Sequence, residues 1–442
     1  MYDVANKTEN KSITFLSNIN MKKNKTIKYI DLFAGLGGIR IGFEQALESF
    51  GLKGESVFVS EIKNHAIETY SINFKETCIN GDITKVEADS IPDFDYLLAG
   101  FPCQAFSSAG NRLGFEDTRG TLFFDVARII SRKRPVGFIL ENVEGLVTHD
   151  NGKTLTTIIS TLEDLGYHVT YGVLDARDFG LAQARRRIYI VGSLSAAPSF
   201  DFPENEKVML ENIIEKEVSG SHTVFTDKLL SHFKLEEVIG KQIKDKRGGV
   251  NNIHSWDFEL KGVVSDEQKV LLDLMLKQRR NKKWADVIGI DWMDGMPLTV
   301  EMISEFYQND NLKEMLDDLV EKGYLAYEYP KKLVGKKRIY DETLEKGYNI
   351  ITGKLSFEFS KILDPKGVAP TLVATDVSKL AIPVEDGIRK LTVREGLRLF
   401  GFPEDYDLSF LKEPKAFDLL GNTVCVPVIR EVSKKLLETI IR

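Results

Sequence analysis

The chain has 442 residues, 43% hydrophobic and 28% charged, an ordinary globular composition that excludes wholesale disorder. No apolar run approaches the roughly 18–20 residues of a membrane span, the polar start lacks a signal-peptide pattern, and three cysteines cannot build a disulfide framework or a four-cysteine zinc site, so a reducing cytoplasm is expected. The net charge of −7 excludes a protein coated in basic charge, while a local basic cleft for nucleic acid stays open.

Residues 1–26 are rich in Asn and Lys, without periodicity, and read as a poorly ordered tail. Strand-like runs follow at Ile27–Phe33, Val57–Val59, Tyr96–Ala99, Phe138–Leu140, Val169–Leu174 and Arg187–Val191. Helical faces lie between them: Ile39, Phe43, Ala46, Leu47 and Phe50; then Val126, Ile129 and Ile130; then Ile158, Ile159, Leu162 and Leu165, stopping at Gly166. Strands alternating with helices of this length predict an α/β fold with a doubly wound sheet over 27–193. After Ser193 the rhythm breaks, and 194–384 reads as a separate domain with basic clusters in 241–247, 277–283 and 331–338. Within it, Thr299 is placed to cap a helix through Tyr307 and Asn311 a second through Lys322. A strand Tyr324–Tyr329 and a basic hairpin would complete a winged-helix pattern. The second helix carries a core stripe of Leu312, Met315, Leu316, Leu319 and Val320, and its outer face is acidic through Glu314, Asp317, Asp318 and Glu321. An anionic partner would be repelled by that face, so the helices read as scaffold and the 331–338 and 277–283 stretches as the parts suited to a polyanion. From 385 to 442 helices return, and the last carries Val428, Ile429, Val432, Leu436, Leu437 and Ile440.

Five blocks carry chemistry. Asp31-Leu32-Phe33-Ala34-Gly35-Leu36-Gly37-Gly38 joins a strand to a helix, and its glycines permit close approach of a ligand. Glu61 follows the second strand at the spacing where an acid reaches ribose hydroxyls, and Asp82 stands where a third strand should end; together they suggest a nucleoside-bearing cofactor. The fingerprint GxGxxG is absent, which weakens a nicotinamide reading. Gly100-Phe101-Pro102-Cys103-Gln104 leaves a strand end and leads into a polar loop, a setting that suits an attacking thiol. Cys78 and Cys425 read instead as buried apolar residues. Glu141-Asn142-Val143 puts a carboxyl at the end of a central strand. Gln183-Ala184-Arg185-Arg186-Arg187 opens a strand on which Arg185 and Arg187 share a face, which suits an anionic or carbonyl-rich ligand.

Together, in this order, the blocks resemble the C5-cytosine DNA methyltransferases. Pro102-Cys103 is similar to the family's catalytic Pro-Cys, Glu141-Asn142-Val143 to its ENV motif, and Gln183-x-Arg185-x-Arg187 to its QxRxR motif. Arg389-Lys390-Leu391-Thr392-x-Arg394-Glu395 resembles a late structural motif, and Gly421-Asn422-Thr423-Val424 the final one. The resemblance implies an S-adenosyl-L-methionine-dependent Rossmann-like sheet with an inserted target-recognition domain. It implies cofactor contacts from Phe33, Ala34, Gly35, Leu36, Gly37, Gly38, Glu61, Ile62, Asp82, Ile83, Gly100, Pro102, Gln104, Leu122, Asn422, Thr423 and Val424. It assigns catalysis to Cys103, Glu141, Asn142, Arg185 and Arg187: attack on C6, contacts to N3 and the exocyclic amine, and orientation through O2 and phosphate. The cytosine would be flipped from the duplex, and closure of the 104–120 loop would exclude water. No metal ligation is implied. One departure from some relatives is Ala109, where a serine helps fill the gap left by the flipped base. The expected partners are double-stranded DNA and, functionally, a cognate restriction endonuclease, with the enzyme itself monomeric. A transfer-RNA methyltransferase on the same scaffold would typically carry Cys-Phe-Thr where this chain has Cys103-Gln104-Ala105. A catalytically dead paralogue would have no use for Cys103, Glu141 and Arg185 together.

Overall fold

The computed structural model describes residues 26–102, 122–335, 337–352, 357–374 and 377–441. The expected N-terminal tail, Cys103, Gln104, Ala109 and the loop through Thr121 lie outside the described residues. The described chain divides into two compact units, one within Met1–Ile214, Lys366–Val377 and Thr392–Arg442, the other within Glu215–Pro365 and Ser378–Leu391.

The first unit is built on six strands: β1 (Thr26–Leu32), β2 (Lys53–Ser60), β3 (Tyr96–Gly100), β4 (Gly137–Val143), β5 (His168–Asp175) and β6 (Arg186–Ser193). Their order in the sheet is β2-β1-β3-β4-β6-β5. β1 to β4 run parallel, and β6 is antiparallel to both β4 and β5, so the sheet is mixed. The central strands read as continuous apolar runs because both of their faces are covered. On one face, Phe123, Val126, Ile129 and Ile130 of α3 (Leu122–Lys133) and Leu155, Ile158 and Leu162 of α4 (Lys153–Asp164) pack against Ile30, Leu97, Phe138 and Ile190. On the other, Phe43 of α1 (Gly38–Ser49) sets its ring against Tyr29 and Tyr96. The C-terminal helix Val426–Ile441 joins it there, burying Val428, Ile429, Val432 and Leu436. Gly42 permits that helix pair to approach closely, since a Cβ would stand 2.6 Å from Ile429 Cβ and 2.8 Å from the Val426 carbonyl.

Four sequence expectations change in the first unit and at its boundaries. No strand precedes Asp82: Asn80 makes a single parallel bridge to Ser60, and Asp82 caps the 3-10 turn Ile83–Lys85 by accepting from Thr84 N–H. Arg185 lies just outside β6 rather than sharing a strand face with Arg187. Cys78 is exposed, whereas Cys425 is buried. The unit boundaries also fall elsewhere than 193/194 and 384/385. Residues 366–377 return to the first unit, and a cut at 384/385 would sever the antiparallel pair Leu380–Val384 with Gly387–Lys390.

The second unit combines a five-stranded sheet of short strands with a helical core around Trp256, Trp284, Leu271, Leu272, Met275, Leu316 and Leu319. Thr299 caps its helix, but that helix ends at Ser304 rather than Tyr307. Asn311 holds the cap position of Leu312–Glu321 without a side-chain capping bond, and Asn309 Oδ1 accepts its N–H instead. Leu325–Glu328 pairs with Gly347–Ile350, and Lys331–Val334 pairs with Lys337–Tyr340 in a two-stranded ribbon. No helix among the described residues is long and apolar enough to cross a membrane.

Candidate active site

The first unit gathers the sequence blocks at the carboxyl ends of β1 to β4, where open α/β sheets bind their ligands. β1 delivers the chain into a turn with three left-handed residues, Phe33 (φ 56°), Gly35 (φ 52°) and Gly37 (φ 70°), before α1 begins. Gly37 has no room for a side chain, because a Cβ would lie 2.4 Å from the Phe74 ring and 2.9 Å from Tyr70. The turn is backed by Tyr406, whose hydroxyl donates to the Leu36 carbonyl at 2.6 Å, and by Tyr70, which donates to buried Asp31 at 2.9 Å. Burial pushes the Asp31 carboxyl up to about 7, against the lowering pull of Tyr70 and Arg40.

Glu61 closes the other side of this turn. Its Oε2 accepts the Gly35 N–H at 2.8 Å, and its Oε1 accepts those of Ile62 and Lys63 at 2.8 and 2.9 Å. A carboxylate offers about four lone-pair sites, so an acceptor remains for a ligand hydroxyl. Ile62 projects an aliphatic side chain that is 68% exposed, an unusual setting for isoleucine and a ready wall for a flat ring. The Asp82 loop lies alongside, tied by Ser60 Oγ to the Gly81 carbonyl (2.7 Å) and by Glu61 N–H to the Asn80 carbonyl (2.9 Å). Asp82 remains partly exposed while Ile83 is buried. Gly38 brings in the last block, since a Cβ there would meet Val424 at 2.8 Å and Thr423 at 3.3 Å. Asn422 is exposed and donates to the Asp418 carbonyl at 2.7 Å. An acidic acceptor, an apolar wall and a glycine-bearing turn fit a nucleoside cofactor such as S-adenosyl-L-methionine. Pro102 is exposed at the end of this region, and Leu122 opens α3 against the core.

At the ends of β3 and β4, Gly100 stands opposite Glu141 in register, with Glu141 Oε2 facing the space a side chain would take. Glu141 is buried, which raises its pKa, while the nearby Arg187 and Arg185 guanidiniums pull it down. Arg187 Nε lies 3.3 Å from Glu141 Oε1. Asn142 donates to the Phe101 carbonyl at 2.8 Å and accepts from Val143 N–H. That bond fixes the strand end two residues before Cys103. Arg185 is committed elsewhere: its two Nη groups donate to the Leu372 and Thr423 carbonyls at 2.8 and 2.7 Å, and its Cζ lies 5.1 Å from the Phe400 ring centroid. Gln183 works the same way, donating to Leu399 O and accepting from Leu372 N–H. The sequence-level arginine pair thus separates into Arg187, which faces the carboxyl, and Arg185, which joins the 366–377 and 422–424 segments. Sequence reasoning missed the 366–377 segment. It is held mainly through backbone groups, such as the Ala369 N–H to the Ala182 carbonyl at 2.8 Å, and backbone contacts leave no residue pattern to find. Beside this site a cavity of about 310 Å³ is lined by Val143, Glu144, Arg177, Arg186, Arg187 and Thr371, among others.

A mixed α/β sheet carrying a glycine turn, two acid-bearing loops and a Glu–Arg pair at its strand ends has the architecture of the methyltransferase class, whose cofactor is a nucleoside. The chain belongs to the C-5 cytosine-specific DNA methylase family, whose model matches residues 27–438, and it is a DNA (cytosine-5-)-methyltransferase. It is 57% identical over 421 residues to the type II methyltransferase M.NlaIV of Neisseria lactamica, covering 94% of this chain and 99% of that protein. M.BanI of Aneurinibacillus aneurinilyticus is 41% identical over 439 residues, covering 93% and 96%. Among solved structures, the Dnmt2 methyltransferase of S. pombe is similar with a TM-score of 0.50 and 16% identity, covering 94% of this chain and 99% of that one, a likeness of fold alone. The family draws its methyl group from S-adenosyl-L-methionine.

Proposed function

We propose that the enzyme methylates C5 of a cytosine flipped out of a specific short duplex sequence, through a covalent bond between Cys103 and C6. The observation that carries this reading is the junction of β3 and β4. Asn142 holds the Phe101 carbonyl, and Gly100 at the end of β3 stands opposite Glu141, which pairs with Arg187. C5 of cytosine is a weak nucleophile, and addition of the Cys103 thiolate to C6 would make it electron-rich. Glu141 holds N3 and the exocyclic amine and stabilises the electron-rich adduct; burial raises its pKa, against the pull of Arg187 and Arg185. Arg187 steadies Glu141 and reaches O2. Arg185 and Gln183 position the loops around the base and do not themselves touch it. Glu61, Ile62 and the Phe33–Gly38 turn hold the cofactor, which supplies an electrophilic methyl group when bound. After C5 takes the methyl group, its proton passes to a water molecule and the C6–Sγ bond breaks, releasing the Cys103 thiolate and restoring the ring. Extruding the base costs a few kcal/mol, offset by contacts in the pocket.

We also propose that the chain is the modification half of a type II restriction–modification pair, acting as a cytoplasmic monomer on double-stranded DNA and protecting it from a cognate endonuclease. The support is likeness to named type II methyltransferases along nearly their whole length. Cys103→Ala should abolish methyl transfer and spare cofactor binding. Duplex DNA carrying a 5-substituted cytosine that blocks release should trap a covalent adduct on the wild type alone. An adduct on the alanine variant, or labelled methyl groups in transfer RNA but not in duplex DNA, would overturn the reading.

A further inference from the structure

The second unit brings together basic stretches that lie far apart in the chain. Lys246 Nζ and Arg280 Nε both reach Asp294, at 3.0 and 2.7 Å. The Arg280 carbonyl accepts the Trp292 indole N–H at 3.0 Å, and Arg338 donates to the Trp292 carbonyl at 3.0 Å. One residue from each of the 241–247, 277–283 and 331–338 stretches therefore meets at Trp292–Asp294. We infer that this convergence, with the adjoining strands Lys331–Val334 and Lys337–Tyr340, is the face of the second unit that docks on duplex DNA, and that Trp292 contributes to its sequence preference. The inference rests on the DNA-methylating reading above.

Charge gives the first argument. A single carboxylate serves Lys246 and Arg280, and the Arg338 hydrogen bond goes to a carbonyl, so positive charge is in excess at this place. Two neighbouring cations have their partners away from Asp294. Arg279 is buried and spends Nη1 on Asn349 Oδ1 and the Ile350 carbonyl. Lys283 is held by Glu305 at 3.0 Å and lies 3.9 Å from the Trp284 ring centroid. Of the 277–283 cluster, Arg280 is the cation that reaches Trp292–Asp294, while Lys277 and Lys282 are exposed. The helix Leu312–Glu321 buries its leucines, and Asp317 and Asp318 on its outer side pair with Lys313 and Lys322 at 2.6 Å.

Exposed apolar surface gives the second. Trp292 is 45% exposed although its only polar group is already satisfied, and Leu333, Val334 and Ile339 on the ribbon are each about half exposed. Apolar side chains interleaved with cations suit the major groove, which admits a two-stranded ribbon and presents thymine methyl groups between rows of phosphates. A second copy of the chain fits less well, because a two-fold contact would set this basic face against itself.

The test uses the full-length enzyme and a duplex bearing its methylated site, with affinity measured across a salt titration. The triple variant Lys246→Ala, Arg280→Ala, Arg338→Ala should bind at least tenfold more weakly. Its slope of log affinity against log salt should shrink by up to about 2.7, at about 0.9 for each of three lost phosphate contacts. Its KM for DNA should rise with kcat within about twofold, and cofactor affinity should stay unchanged. Lys313→Ala, on the paired acidic helix, should match the wild type. Trp292→Ala should broaden the set of methylated sites in bisulfite sequencing. If the triple variant also loses cofactor affinity, Lys337→Glu decides, since that side chain is exposed on the ribbon. Wild-type affinity and salt slope in the deciding variant would overturn the inference. So would loss of self-association with DNA affinity intact. A wild-type enzyme that methylates no DNA would instead sink the reading on which this one rests.

Discussion

In the proposed reading, Glu61 serves both the protein and its ligand. Three backbone N–H groups converge on its carboxylate, including that of Gly35 across the turn, so the acid fixes the pocket before any cofactor arrives. Glu61→Ala should lower cofactor affinity by roughly tenfold to a hundredfold, the loss of a charged hydrogen bond worth about 1.5–3 kcal/mol. Glu61→Gln should fall between, because its carbonyl oxygen can still accept. Calorimetric titration with S-adenosyl-L-methionine checks both, and unchanged affinity would make the acid purely structural. Asp31 works in the opposite sense. Its carboxyl, ordinarily at 3.8, is pushed up to about 7 by burial, so the folded protein keeps a proton that the unfolded chain releases. Stability is therefore lost as pH rises from the ordinary value to about 7, and the loss is complete above it. Asp31→Asn should match the wild type near about pH 4 and exceed it above about pH 7, by no more than about 4 kcal/mol. Melting temperatures of the two proteins across pH would show this; a gap independent of pH would refute it.

At the scale of elements, α1 and the C-terminal helix decide how the last sequence block reaches the first. Their approach depends on Gly42, whose missing side chain makes room for Ile429 and the Val426 carbonyl. Gly42→Ala brings two opposed effects. Alanine favours a helix by up to about 1 kcal/mol, but overpacking a rigid contact costs about 1–3 kcal/mol. The obstructing atoms are a backbone oxygen and a β-branched side chain, neither of which can swing away, so overpacking should win. We expect a lower melting temperature and weaker cofactor binding, because the helix that follows Thr423 and Val424 must shift. A melting temperature equal to or above that of the wild type would show that the two helices can separate at no cost.

Across the whole molecule, charge is distributed against its own sum. A net charge of −7 predicts weak attraction to DNA, yet local basic surface can dominate binding because salt screens distant charges within about 10 Å. Affinity for duplex DNA should fall steeply and linearly in log–log form with added salt. A flat titration would mean that no phosphate-binding face exists. Neutralising Glu314, Asp317 and Asp318 together should not reduce DNA affinity, since these acids lie on the outside of a scaffold helix. A clear loss of affinity would place that helix at the DNA instead.

The sequence by itself determined the alternation of strands and helices, the helical core faces, the glycine turn, and the blocks around Glu61, Cys103 and Glu141. Each of these is a local signal: periodicity follows from the repeat of one helix or strand, and a chemical motif follows from neighbours in the chain. Tertiary structure alone decided that β6 runs antiparallel and that Arg187, not Arg185, pairs with Glu141. It also decided that Asp82 caps a turn instead of ending a strand, and that residues 366–377 return to the first unit. The basic stretches behave likewise. Charge in a sequence does not say which cation is buried against a carbonyl and which faces solvent, and only packing separated Arg279 from Arg280. The physical reason is common to all of these cases. They depend on partners distant in the chain, often backbone carbonyls, which every residue possesses and no sequence pattern marks.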